Sequence, residues 1–430
     1  MRILILSATT GYQLRAFNDA AETLGIELAF ATDRCKGLDD PWRDRAIPVR
    51  FHDAATSLQA VERAAMDAPL GGVIAVGDRP VVLAAHIATR FGLRGNTPEA
   101  ARITTSKLLT REALDRAGLP VPWFYRAAVD SDVEDALPRA DFPCVVKPLA
   151  MAASRGVIRA DDEAAFRDAF ERVRALLVRR DVRIQRNEAH GSILVEGYIP
   201  GAEYALEGVL HGGDLQALAL FDKPDPLEGP VFEETIYVTP SRLDADTQHR
   251  VIHTIAAACR AIGLREGPIH AEARVNSRGV YVLEVAARPI GGLCARALRF
   301  RAADAGANAA DISLEALLLL HATGHPVDGY RREDRASGVM MCPVPRRGVF
   351  KRVEGIEEAR RIDGVEDIVI TAKPDEMLVP LPEGASYPGF IFAKGALPAD
   401  AEAALRRAHA ALTWVIERPI DVLSEPSPDT

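Results

Sequence analysis

Cysteine is scarce in this chain: five residues in 430, at positions 35, 144, 259, 294 and 342, with no Cys-x-x-Cys pair and no cluster with histidine. Five scattered thiols cannot all pair, so neither a disulfide framework nor a zinc site is expected, and reduced, mostly buried cysteines are the default. Long apolar runs are also missing, and nothing is both long and apolar enough to span a bilayer. The start, Met1-Arg-Ile-Leu-Ile-Leu-Ser-Ala, leads directly into a strand and not into a signal h-region with a cleavage site, so a cytoplasmic location is expected. Basic residues are outnumbered, 52 Lys and Arg against 61 Asp and Glu, for a formal charge of −9. That balance argues against a general nucleic-acid or membrane surface and points to small-molecule partners. A Gly-x-Gly-x-x-Gly turn and a Walker A loop are both absent, which makes a dinucleotide site or a P-loop unexpected.

What is present is ample apolar content, 48% over 430 residues, more than one core usually serves, so two to four domains are expected. Up to about residue 100, apolar runs alternate with helical patterns, which implies a parallel α/β sheet with helices on its faces. Ligands of such sheets gather at the carboxyl ends of the strands, where Ser7-Ala-Thr-Thr-Gly11 and Gly77-Asp78 fall. A plain strand-to-helix turn with a Ser or Thr cap accounts for the first equally well. Next comes a helix over 104–118, with Lys107 in its first turn, where the dipole favours negative charge. A bound phosphate would resolve that conflict, and a solvated lysine explains it as well. Residues 142–149 form an apolar strand ending near Lys147. The small-residue loop 150–157 follows, in which close backbone approach and the Ser154 hydroxyl suit phosphate oxygens. An ordinary hairpin connection is the competing account. A charged amphipathic helix, 162–180, is expected to be a solvated layer.

Residues 192–210 read as two strands broken by Pro200-Gly201, with Glu196 ending one and Glu203 beginning the other. Extended backbone from Glu196 to Ile199 can pair with an adenine edge, leaving Glu203 for ribose hydroxyls; a hairpin with solvated glutamates is the alternative. The most informative stretch is 267–292. Alternation over 267–275 puts His270, Glu272 and Arg274 on one strand face, a turn follows at 276–279, and the returning strand carries Glu284. A hairpin would bring Glu272 and Glu284 to one face, where they would repel without a cation between them, and Mg²⁺ suits two carboxylates with phosphates and water completing its shell. Arg288, in a Pro/Gly-rich turn, offers a fork of donors to an anion beside it. Each alone is as well explained by solvent; their joint spacing in apolar strands favours a site.

In this order, a lysine on a helix, a lysine on a strand, a small-residue flap, Glu-x-x-Ile-x-x-x-Glu and then Glu…Glu-x-x-x-Arg, the chain resembles the ATP-grasp superfamily, and within it the carboxylate–amine ligases of the L-amino-acid-ligase type. The resemblance covers essentially the whole chain. It implies an ATP-grasp fold, α/β and α+β, with a parallel N-terminal domain (1–103), a small lobe with the flap (104–190), a large lobe with the metal site (191–330) and a C-terminal α+β domain (337–425). It implies ATP and Mg²⁺ as cofactors, with Mn²⁺ as the alternative ion. Lys107, Lys147 and Ser154 would meet the phosphates, Glu196 and Ile199 the adenine, Glu203 the ribose, Glu272 and Glu284 the metal, and Arg288 the carboxylate or acyl phosphate.

Three departures stand out. Ala286 replaces an asparagine metal ligand of many relatives, Gly291-Gly292 stand where some have a bulky aromatic, giving a roomier acceptor pocket with Gly291 lining it, and Tyr237 stands nearest to a histidine of some relatives. The segment from 221, rich in Pro and turn formers, is expected to be a functional loop rather than a central strand. Within it Lys223 can reach the transferred phosphoryl group, and Glu233 or Glu234 the ammonium of the amine; a surface loop with a solvated Asp222/Lys223 pair is the alternative. His253 and His321 lie on helices and are expected to be hydrogen-bonded structural residues. The C-terminal region is expected to hold several short strands and a final helix near 400–416, to close the cleft or bury a homodimer face, and to end in a disordered tail over 424–430. The expected reaction joins a small-molecule carboxylate to an amine through an acyl phosphate, with no nucleic-acid or membrane partner. An ATP-grasp carboxylase or purine-pathway ligase and a non-catalytic nucleotide-binding regulator are the alternatives.

Overall fold

The N-terminal alternation becomes a parallel four-stranded sheet in the order Ile47–Pro48, Glu27–Thr32, Arg2–Ser7, Leu70–Val76. Its second-built strands follow from burial on both faces: Ile3 to Leu6 are all fully buried, as a parallel strand under helices requires. Helices Leu14–Leu24, Ala54–Ala65 and Val81–Phe91 cover it. The computed structural model describes the chain apart from residues 9–12, 34–45, 67, 305–309, 385 and 420–430. Thr9 to Gly11, Cys35 and the 424–430 tail therefore lie outside the described residues. The short third strand is Ile47–Pro48, after which Val49 is buried in the core and its amide donates to the Thr32 carbonyl.

A second, antiparallel sheet is ordered Phe124–Ala128, Ser192–Gly197, Cys144–Pro148, Ile158–Ala160. Helix Glu163–Leu177 lies on it, burying Phe166, Phe170 and Val173 while its charged face meets solvent. The third and largest sheet has eight antiparallel strands, in the order Gly279–Ala286, Gly267–Asn276, Ala202–His211, Asp214–Asp222, Ile236–Thr239, Ala336–Met341, Gly389–Gly395, Val365–Ile370. Helix Ala245–Ile262 packs on one face of it. The other face shares a core with the N-terminal sheet, Ala205, Val209 and Phe221 joining Ile3, Ile5 and Ile74.

Three expectations are corrected. Strands Ser192–Gly197 and Ala202–His211 are no hairpin, since they belong to different sheets and Pro200-Gly201 carries the chain between them. Gly201 is required there: its φ is +120° and a Cβ would lie 2.3 Å from the Val275 carbonyl oxygen. Residues 236–239 are a buried strand inside the large sheet, because the prolines at 224, 226 and 230 all precede this β-branched run and Pro240 ends it. The last helix is Pro398–Ala410, and Thr413–Glu417, with its Thr-Trp-Val-Ile, is a strand paired to Gly348–Glu354. The four described cysteines, Cys144, Cys259, Cys294 and Cys342, are free and buried. Among the described residues, no helix is long and apolar enough to cross a membrane.

Candidate active site

Strands Gly267–Asn276 and Gly279–Ala286 form the expected hairpin, and its register sets Glu272 directly opposite Glu284. Both carboxylates line a cleft of about 320 Å³ between the large sheet and the small-lobe sheet. Each already has an ammonium partner. Lys107 Nζ lies 2.9 Å from Glu284 Oε2, and Lys223 Nζ lies 2.9 Å from Glu272 Oε1. Burial pushes the Glu272 carboxyl up, but Lys223 and His270 outweigh it and hold the carboxyl well below its usual range. Glu272 and Glu284 together thus offer an all-oxygen donor set facing a cleft, which fits a hard divalent cation such as Mg²⁺.

Lys107 opens helix Lys107–Arg116, capped by Ser106, and its amide bonds to the Leu149 carbonyl at 2.8 Å, which seats the helix start against the flap. Its ammonium bonds the Met151 carbonyl at 2.9 Å as well as Glu284, so the odd placement at a helix N-terminus is resolved by protein partners. Lys147 is buried and bonds Glu196 Oε1 at 2.5 Å. Burial, with Arg111 and Lys107 nearby, brings its ammonium down to about 8 despite Glu196. The flap runs from Cys144–Pro148 to Ile158–Ala160, with Ala153 and Ser154 at φ of 55° and 53°, and Ser154 lines the cleft. Its far side is anchored on the C-terminal region: the Gly156 amide donates to the Pro382 carbonyl (2.8 Å), and Arg155 Nε to that of Glu383 (3.2 Å).

Glu196, Ile199, Glu203, Arg288 and Gly291 also line this cleft. Glu196 is not free to meet a ligand. Arg111 grips it through Nε (2.8 Å) and Nη2 (3.2 Å), and with Lys147 this holds its carboxyl at about 2 against the opposing effect of burial. The amides of Gly197 and Tyr198 are taken by the carbonyls of Trp123 and Pro143, and the Ile199 carbonyl accepts from Arg274. The adenine-edge expectation is thereby narrowed, leaving the Ile199 amide as its candidate donor. Glu203 accepts from Lys223 (2.7 Å) and from Arg274 Nε (3.0 Å).

Lys223 is not solvated, with only 3% of its side chain exposed. It sits beneath the cleft wall and donates to Glu203, Glu234 and Glu272 at once. Glu234 faces the cleft, whereas Glu233 does not and lines a separate small recess with Val344 and Leu381. Burial and Glu272 raise the Glu234 carboxyl to about 7, against the pull of Lys223. Tyr237 Oη donates to Glu234 (3.0 Å) and Glu272 (3.3 Å), and burial keeps the phenol protonated, its pKa well above the ordinary value.

Two partners, Glu207 and Arg111, escape a reading of the sequence, and a third, Asp78, was read only as lying at a ligand-facing strand end. Glu207, fully buried, accepts from the Ile290 amide (3.0 Å) and contacts His270 Nδ1 (3.1 Å), while His270 Nε2 is 3.6 Å from Glu272. A histidine therefore does stand in the cleft, on a strand rather than at position 237, and the alternation over 267–275 was its signal. Asp78 Oδ1 accepts from Arg288 Nε at 2.7 Å, tying the strand-end turn of the N-terminal sheet to the guanidinium. Arg111, one helical turn after Lys107, had only that i+4 spacing to mark it.

Comparison with known proteins agrees with this geometry. Residues 140–297 match the ATP-grasp domain family, residues 18–95 the ATP-grasp N-terminal domain and residues 340–417 the L-amino acid ligase C-terminal domain 2. The structure of the L-amino acid ligase from Bacillus licheniformis superposes with a TM-score of 0.80 at 25% identity, over 97% of this chain and 99% of that one. Alanine–anticapsin ligase of Bacillus subtilis is 27% identical over 46% of this chain and 44% of its own length. Dapdiamide A synthase of Enterobacter agglomerans is 27% identical over 59% of this chain and 58% of its own. The chain thus spans about half the length of these two relatives. With these three matches in order along the sequence, the chain carries ATP-grasp domains and an L-amino acid ligase C-terminal domain, and its fold as a whole is similar to that of the L-amino acid ligase.

Proposed function

We propose that this protein is an ATP- and Mg²⁺-dependent ligase that activates a small carboxylate as an acyl phosphate and joins it to an amine, an amino acid, giving an amide or dipeptide, ADP and phosphate. The observation that supports this most is the facing pair Glu272 and Glu284 in a cleft that also holds Lys107, Lys147 and Arg288. Glu272 and Glu284 would hold Mg²⁺, which when bound neutralises charge on the phosphoryl group in transfer. Lys107 and Lys147 offset the charge of the phosphate chain while a carboxylate oxygen attacks the γ-phosphorus and its bond to ADP breaks. The Ile199 amide meets the adenine edge, and Glu203 the ribose.

In the second step the amine attacks the acyl carbon, the C–O bond to phosphate breaks, and phosphate leaves with the electron pair. Arg288, steadied by Asp78, stabilises the oxyanion. Glu234, poised near 7, accepts the proton of the amine. Lys223 acts as a positioning residue that holds Glu203, Glu234 and Glu272, not as a ligand of the phosphoryl group. The flap keeps water from the acyl phosphate.

A screen of amino-acid pairs by phosphate release, followed by mass detection of the product, tests the proposal. Release is expected only with particular acid and amine pairs, and Glu284→Ala is expected to lower it by about 10²–10³-fold with circular dichroism unchanged. Amine-dependent ADP release retained in that variant would contradict the metal assignment. Phosphate release indifferent to every pair would favour a nucleotide-binding regulator.

A further inference from the structure

A second cluster of metal-ligating side chains lies at the opposite end of the large sheet. Strand Gly267–Asn276 pairs with Ala202–His211 so that Gly267 faces Leu210, and this register sets Glu266 beside His211. Helix Leu314–Ala322 brings His321, in its last turn, to the same point. The Nδ1 of His211 is 3.7 Å from Glu266 Oε2, and His321 Nε2 is 4.0 Å from the same oxygen. One ligand atom from each of the three residues lies within 4.8 Å of the others.

Two of these atoms are buried without a hydrogen-bond partner, Glu266 Oε2 and His321 Nε2, and the His321 side chain is only 7% exposed. Such atoms are rare in folded proteins and call for a partner. The separations are too long for hydrogen bonds. Donors about 2.0–2.2 Å from a tetrahedral ion stand roughly 3.3–3.6 Å apart, so these side chains need only close up by some tenths of an ångström to share one. The carboxylate is also held in place: its Oε1 accepts from the Gly212 amide (3.0 Å), and the Asn96 side chain accepts from the amides of Arg265 (2.7 Å) and Glu266 (3.0 Å). Arg94 lies nearby, but its guanidinium is directed to the His321 backbone carbonyl at 2.7 Å. His321 is hydrogen-bonded to the Leu210 backbone as expected of a structural residue, but its Nε2 is left without a partner, while His253 is exposed.

We propose that His211, Glu266 and His321 form a transition-metal site, suited to Zn²⁺ or another imidazole-seeking divalent ion, with water completing the shell. Two imidazoles and one carboxylate are the donors such ions take, and Mg²⁺ and Ca²⁺ do not favour them. The site is separate from the ligase cleft, about 20 Å from Glu272 along the strand. Because its ligands come from the end of one strand, the bend that precedes the next and a helix that packs against the N-terminal sheet, a bound ion would clamp these layers together.

The test uses the full chain stripped with chelator and titrated with Co²⁺ as a spectroscopic probe. One equivalent is expected to bind with visible ligand-field absorption, to persist in Glu284→Ala, to disappear in His211→Ala and to be displaced by Zn²⁺. His211 is 70% exposed, so its loss leaves the fold and amide formation, within twofold, unchanged. Stoichiometric Zn²⁺ is expected to raise Tm by at least about 2–4 °C in the wild type and not in His211→Ala. Uptake that vanishes in Glu284→Ala, or that His211→Ala leaves intact, would overturn the assignment.

Discussion

Lys147 carries the electrostatic conflict of the ligand-free cleft. Its ammonium is brought down to about 8 while an unfolded lysine stays near 10.4, so between these values the unfolded chain binds the extra proton and stability rises with pH. A nucleotide phosphate beside it would reverse the shift. ATP binding is therefore expected to take up a proton near pH 8.5 and almost none at pH 6.5, as calorimetry in buffers of different ionisation enthalpy will report, and Lys147→Arg should abolish the uptake. Glu196 has the opposite sign: its carboxyl, at about 2, adds stability above its unfolded value near 4.5, which is lost as pH falls toward 2. Gly291 sets a second residue-scale prediction. A Cβ there meets nothing within 4 Å, so Gly291→Phe should fold normally yet raise KM for bulky amines about tenfold or more over small ones, measured across an amine series. At this scale the sequence made the ligand-facing acids and lysines legible because alternation and spacing expose them. It hid their counterparts Glu207 and Arg111, because burial against a distant strand leaves no local pattern, and it placed Asp78 at a strand end without revealing its partner Arg288.

Helix Lys107–Arg116 works as a strut between the two sheets that enclose the cleft. Arg111, fully buried, binds Glu196 of the small-lobe sheet and the carbonyls of Val282 and Leu283 in the hairpin that carries Glu272 and Glu284. Removing one partner of a buried pair strands the other, so Arg111→Met is expected to cost about 3–5 kcal/mol, read by urea unfolding. The flap is secured differently, by half-exposed contacts: Arg172 holds Glu383 at 2.8–2.9 Å beneath the Pro382 carbonyl that caps Gly156. An exposed pair contributes about 0–1 kcal/mol. Glu383→Ala is therefore expected to loosen closure only modestly, raising phosphate release uncoupled from amide formation by up to about fivefold in a coupled assay. Elements with a clear period were legible, including the hairpin of Glu272 and Glu284 and its turn at 276–279. Those whose role depends on which sheet they join were not. Pro200-Gly201 looks like a hairpin turn in sequence but crosses between sheets, and Ile236–Thr239 was masked by the prolines around it.

Across the whole molecule, the cleft is built where three sheets meet. The N-terminal sheet contributes Asp78, the small lobe Lys147 and Ser154, and the large sheet Glu272, Glu284 and Arg288. This order of parts was readable as a family resemblance, whereas the continuation of the large sheet into 336–341, 389–395 and 365–370 depends on pairings between 19 and 104 residues apart. The proposed function gives these layers the task of forming and protecting an acyl phosphate, and isotope transfer tests that directly. A carboxylate substrate labelled with ¹⁸O in both oxygens is supplied with ATP and amine, and the released phosphate is analysed by mass. One ¹⁸O per phosphate is the expected result; amide product accompanied by unlabelled phosphate would contradict the account.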